Sequence, residues 1–215
     1  MEFIIFQILI LLFSIVVHEV AHGFMAEHLG DPTARMAGRL TLNPLKHIDA
    51  FGSVLLPLLL IVTRSPIVLG WAKPVPYNPH LLTKDLKYGP LKVALAGPGA
   101  NITIAVLFGI LLRFTYMYSV PFTFLVGIIV FLNLLLAVFN LMPIPPLDGS
   151  KILTVLLPRK YSLMVQQIGM VGIMLVLLFV FYFGNVIFGL TSVMFQVIAG
   201  ADAFHVFMMV MNKGI

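Results

Sequence analysis

Residues 3–17 run without a single charge, and the apolar character carries on past a few polar positions to about Ala26. A helix over 2–28 would measure about 40 Å, enough to cross the roughly 30 Å hydrocarbon core of a bilayer. Comparable runs follow at 89–116, 121–141, 162–183 and 186–211. Segments of this kind fit one setting, a lipid bilayer, where helices satisfy their own backbone hydrogen bonds. The charge count agrees. Thirteen Lys or Arg and eight Asp or Glu in 215 residues make 10% charged, against about 25% for a soluble domain. A soluble enzyme, a nucleic-acid-binding module and a disordered region are excluded, so no nucleic acid is expected as a partner. The net charge of +5 suits loops beside anionic headgroups. With no cysteine there is no disulfide framework, and any transition-metal site must use His, Asp and Glu.

Only Glu2 precedes the first run, and no small-residue cleavage site follows it. It therefore reads as a retained helix over 2–28, not a signal peptide. Residues 29–50 are polar and turn-rich. The apolar stretch 51–63 contains Pro57 and is short for a crossing, which predicts a re-entrant or interfacial segment. Gly70 to Pro79 carries prolines at 74, 76 and 79, which forbid a helix and predict a short extended or β element. Gly184-Asn185 reads as the turn between the last two helices. The expected fold is an all-α polytopic membrane protein, one domain over 1–215, with five transmembrane helices plus a re-entrant segment and a short extended element. Arg35, Arg39 and Lys46 precede 51–63; Arg64, Lys73, Lys84, Lys87 and Lys92 follow it. The positive-inside rule keeps both loops cytoplasmic only if 51–63 does not cross. The N-terminus is then outside and the C-terminus cytoplasmic, in a multi-pass protein of the cell membrane.

The chemistry concentrates in His18-Glu19-Val20-Ala21-His22. On a helix, His18 and His22 lie about 40° apart on one face and can reach one metal ion. Glu19 stands about 100° round from His18, beside the ion, where a base can take a proton from water. A polar trio inside an apolar span is costly unless it binds something. A zinc site needs a third protein ligand and one open position. His28 would point about 240° away from His22 if the helix continues through Met25, and Glu27 about 140° away. Asp148, after the proline break at 143–146, ends on the same side of the membrane as His22 in the topology above. It is the preferred third ligand, with a helix N-cap as the plain alternative. His47 and His80 are expected on the surface. Asp202 and His205 could pair in the last span.

Together these residues resemble the site-2 protease family of intramembrane zinc metalloproteases. The resemblance rests on His18-Glu19-x-x-His22 in a span, on Asn140-Leu141-Met142-Pro143 running into Pro146-Leu147-Asp148-Gly149, and on Ala96-Gly97-Pro98 with Asn101. Its motifs cover about residues 8–155. It implies that His18, His22 and Asp148 bind one Zn2+ per chain, that Glu19 is the catalytic base, and that Asn140 holds substrate or the oxyanion. It also implies that Gly70 to Pro79 receives substrate, and that the chain is a minimal form without PDZ or CBS domains. The function expected is hydrolysis of peptide bonds within or near transmembrane helices of other proteins. A zinc transporter or sensor using the same ligands is the alternative; it has no need of Glu19.

Overall fold

The computed structural model describes residues 2–55, 58–59, 62–63, 70–157, 160 and 171–212. All regular structure among them is helical. Four long helices are α1 (Glu2–His28), α3 (Gly89–Thr115), α4 (Val120–Asn140) and α6 (Val171–Ala199). Shorter ones are α2 (Thr33–Met36), α5 (Asp148–Leu156) and α7 (Ala201–Asn212). The four long helices are apolar and long enough to cross a membrane.

They run up and down. At one end Phe3 of α1 meets Phe124 of α4 edge to face, and Tyr116, just beyond α3, donates to Asp202 of α7. At the other end lie His22, Val93, Asn140 and Asp148, lining one pocket. The interior between α3, α4, α6 and α7 is closed by Phe124, Phe131, Phe195 and Phe207, with Phe195 and Phe207 stacked at 5.3 Å. In lipid such packing works through dispersion and ring geometry, since the tails are as apolar as the rings. The outward side chains of α1 and α6, such as Ile4, Ile8, Phe181 and Val197, are exposed, as lipid-facing residues should be.

Two boundaries depart from expectation. Gly184-Asn185 does not turn the chain: helix continues through it to Ala199. The expected helix 186–211 is therefore divided, and residues 162–170 of its expected predecessor lie outside the described residues. The break falls at Gly200, whose φ of +97° is open to glycine and strained for other residues. One glycine in a helix costs only about 1 kcal/mol, less than leaving backbone groups unpaired in lipid. Among the described residues there are thus four candidate spans, not five. With 12 residues, α7 reaches only about 18 Å, so the fifth crossing behind a cytoplasmic C-terminus loses its support.

The end of α1 and the start of α3 lie at the same end of the bundle, as a non-crossing 51–63 requires. That segment opens as a π-helical turn, Ala50–Leu55; part of its remainder lies outside the described residues. The expected extended or β element at 70–79 has no regular structure over 70–78 and runs into a 3-10 turn at Pro79–Leu81; no strand occurs among the described residues. Pro74, Pro76 and Pro79 have no N–H to give to a ladder. Single contacts hold it instead. Trp71 N–H donates to Gly52 O and Lys73 N–H to His47 O, and Asn78 N–H donates to Asp31. His47 is consequently buried, not on the surface. Its ring bonds the Thr41 carbonyl at 2.9 Å while its own carbonyl anchors Lys73. His80 is exposed as expected. Asp202 meets Tyr116 where a pairing with His205 was expected.

Candidate metal centre

The one-turn spacing on α1 puts both imidazoles on the same side of the helix, edge to face with centroids 4.7 Å apart. α5 begins after the proline break and presents Asp148. His18 Nε2 and His22 Nε2 each lie 3.0 Å from Asp148 Oδ2 and 3.1 Å from each other. All three residues are buried. Among the described residues this is the group of His and acidic side chains able to hold a metal ion. A tetrahedral zinc with bonds of about 2.0–2.1 Å keeps its ligands roughly 3.3 Å apart, close to the observed edges. Asp148 does not cap its helix: Leu147 holds the N-cap position and no side chain caps it.

The other side of each imidazole explains why the cluster suits a cation. His22 Nδ1–H donates to the Val93 carbonyl at 2.7 Å. His18 Nδ1–H donates to Asn101 Oδ1 at 2.6 Å. Asn101 is oriented by its own Nδ2, which donates to the Ser14 carbonyl and to Asn133 Oδ1. Asn133 Nδ2 donates in turn to Ser14 Oγ and the Ile129 carbonyl. This buried network ties α1, α3 and α4 together and satisfies its members. With both Nδ1 atoms protonated, both Nε2 atoms present lone pairs beside a carboxylate oxygen. Three lone-pair donors at this separation repel unless a cation or protons lie among them. Gly97 floors the cluster: a Cβ there would overlap Nε2 of both histidines.

Glu19 stands beside the trio, in the same pocket of about 400 Å³. Its Oε2 accepts from the Val75 N–H at 2.8 Å, so the proline-rich segment is fastened to this carboxylate. Trp71, Ala72 and Tyr77 of that segment line the pocket, as do Asn140 and Lys151. Lys151 Nζ donates to Asp148 Oδ1 at 2.9 Å, leaving Oδ2 to the histidines. Burial pushes the Asp148 carboxyl up, but with protons on the imidazole Nε2 atoms the hydrogen bonds from His18 and His22, together with Lys151, more than offset this and hold it well below the usual carboxylate range. Burial likewise disfavours the Lys151 ammonium, and the Asp148 charge keeps its pKa above the ordinary lysine value.

His18, Glu19, His22, Asn140 and Asp148 thus come together. Asn140 Nδ2 donates back to Leu136 O; its amide has a second N–H. His28 is exposed and apart, and Glu27 pairs with Arg35. Ser14, Asn133 and Lys151 were not singled out from sequence. Lone polar residues in apolar runs were the available signal for the first two, and one turn of spacing from Asp148 for the third.

The model of Peptidase family M50 matches residues 115–181. The chain is 38% identical over 161 residues to "Putative zinc metalloprotease YwhC" of Bacillus subtilis, covering 71% of this chain and 69% of that protein. It is 37% identical over 139 residues to Rip2 of Mycolicibacterium smegmatis, named in the same way, over 64% of this chain and 52% of the relative. A 63-residue match at 46% identity reaches MJ0611 of Methanocaldococcus jannaschii, also named a zinc metalloprotease, over 29% of this chain and 32% of the relative. No solved structure matches the chain at a significant level.

Proposed function

Because the chain belongs to peptidase family M50 and is a multi-pass membrane zinc metalloprotease, we propose that it is an intramembrane endopeptidase hydrolysing peptide bonds within or near transmembrane helices of other proteins. The observation that carries the reading is the convergence of His18 Nε2, His22 Nε2 and Asp148 Oδ2 in a pocket shared with Glu19 and walled by the proline-rich segment 71–77. In this reading 1–215 acts as one domain and holds one Zn2+ through those three atoms. Zinc bound there supplies a Lewis acid that brings the pKa of water to about 7 and polarises a peptide carbonyl.

Glu19 takes the proton from the attacking water and returns it to the leaving amine. Asn140 offers its second amide N–H to the carbonyl oxygen as charge develops. A substrate helix resists attack while its backbone bonds are internal. With Trp71 and Lys73 bonded inward, Ala72 between them offers its N–H and C=O to an unwound substrate strand. The basic loops at 29–50 and 70–92 put the pocket on the cytoplasmic side, with the N-terminus outside.

The test is cleavage of a transmembrane reporter in proteoliposomes, with zinc content measured on the same preparations. Glu19→Gln should lower cleavage by about 10²–10⁴-fold and keep its zinc. Zinc flux across the vesicles with no cleavage by the wild type would favour the transporter reading.

A further inference from the structure

Arg39 carries a full charge yet is only 7% exposed. Its Nη2 donates to the carbonyls of Lys73 and Pro74 at 2.6 and 3.4 Å, and its Nε is buried without an acceptor. A guanidinium has five N–H donors. Two carbonyl dipoles do not neutralise it, and a buried charge lacking an opposite charge is strongly unfavourable. The chain's eight acids do not serve it. Glu19 accepts from Val75, Glu27 pairs with Arg35, Asp31 holds Thr33 and Asn78, and Asp49 caps the turn at 51–52. Asp85 pairs with Lys92, Asp148 with the histidines and Lys151, and Asp202 accepts from Tyr116. Glu2 starts α1 at the opposite end of the bundle. Among the described residues no carboxylate pairs with Arg39.

Arg39 lines a cavity of about 470 Å³ together with Lys46, Lys73, Leu45, Ile48 and Pro76. Three cations and no acid border one space. The same loop exposes Leu45 at 72% and Met36 at 82%. Apolar side chains on a basic loop are the pattern of a surface resting among headgroups, not in bulk water.

We propose that this cavity binds the phosphate of an anionic phospholipid headgroup. Arg39, Lys46 and Lys73 neutralise it, and Leu45 and Ile48 meet the glycerol and upper acyl region. A free phosphate shares the anion chemistry but has no use for the apolar rim. Lys73 and Pro74, whose carbonyls Arg39 holds, directly precede Val75, the residue fastened to Glu19. The lipid thus braces the root of the wall beside the metal centre. The site stands on membrane location alone and does not depend on the proteolytic reading.

The test is retention of phosphatidylglycerol against phosphatidylcholine by the full chain, purified from an equal mixture of the two and quantified per chain by mass spectrometry. Trp71, the single tryptophan, gives a second readout through quenching by acyl-brominated phosphatidylglycerol. Each cation near an anionic surface contributes about fivefold, so the doubly substituted Lys46→Gln, Lys73→Gln chain should retain phosphatidylglycerol about tenfold or more less well. Lys84→Gln with Lys87→Gln, the same charge change outside the cavity, should lower retention clearly less than the cavity pair does. Equal retention of both lipids by the wild type, or equal losses in the two double variants, would overturn the site. Displacement of the lipid by millimolar inorganic phosphate would overturn the lipid as its ligand. Zinc content serves as the check of folding for every variant.

Discussion

At the scale of single residues, the proposed ligands are separable from the groups that orient them. Asp148→Ala should reduce zinc from about one per chain to a small fraction, because the two histidines alone leave the ion short of a ligand. Retention of zinc would return the third position to another carboxylate or to His28. Asn101→Ala removes the acceptor that holds His18 Nδ1–H. The imidazole is then free to take the other tautomer, and zinc affinity, measured by competition with a chelator, should fall about 10–100-fold. The spacing of His18, Glu19 and His22 made their part legible, because helical periodicity alone puts the two rings on one face. Asp148 was legible through topology, by asking which loop ends share a membrane side, and through the motif Pro146-Leu147-Asp148-Gly149. Ser14 and Asn133 were not legible. Their meaning lies in contacts 87 and 119 residues away along the chain, and a lone amide in an apolar run looks the same whatever it bonds.

Helices α1, α3 and α4 were readable nearly residue for residue, since each is an apolar run ended by prolines or polar turns. What sequence alone could not rank was the strength of competing glycine breaks. The sequence reads as a turn at Gly184-Asn185 with a helix running through Gly200, yet of the two only Gly200 has a positive φ. Gly184 is helical with open space where a Cβ would go. Gly184→Ala should therefore raise stability in thermal unfolding in detergent by about 0.4–1 kcal/mol. Gly200→Ala should lower it by about 1–2 kcal/mol, the strain of a left-handed residue with a Cβ. The reverse order would restore the turn at 184–185. Gly97 belongs to a different class. Its missing Cβ is what lets α3 lie against the two Nε2 atoms, so Gly97→Ala should remove zinc while the helical signal of circular dichroism is kept.

For the molecule as a whole, the number of crossings decides which surfaces face which compartment. α1 and α4 run toward the pocket, α3 and α6 away from it, so four crossings put Tyr118 and Gly200 together at the end opposite the metal centre. Five crossings with a turn at Gly184-Asn185 would instead put residue 184 in water and carry the chain past Gly200 inside a span. The absence of native cysteine makes single-cysteine labelling of intact cells or right-side-out vesicles direct. Tyr118→Cys and Gly200→Cys should react with an impermeant maleimide from outside. Lys87→Cys should react only after permeabilisation, and Gly184→Cys should stay protected in both states, since residue 184 lies within the helix of a span. Labelling of Lys87→Cys from outside would invert the molecule and place the Glu19 pocket in the other compartment. Labelling at 184 with protection at 200 would restore the fifth crossing, and with it a cytoplasmic C-terminus. The pattern expected here leaves α7 as a short helix folded back against α4 through Phe207 and Gly127, sealing the end of the bundle remote from the metal centre. Glu19 then opens toward the end of the bundle where the loops 29–50 and 70–88 carry Arg35, Arg39, Lys46, Lys73, Lys84 and Lys87.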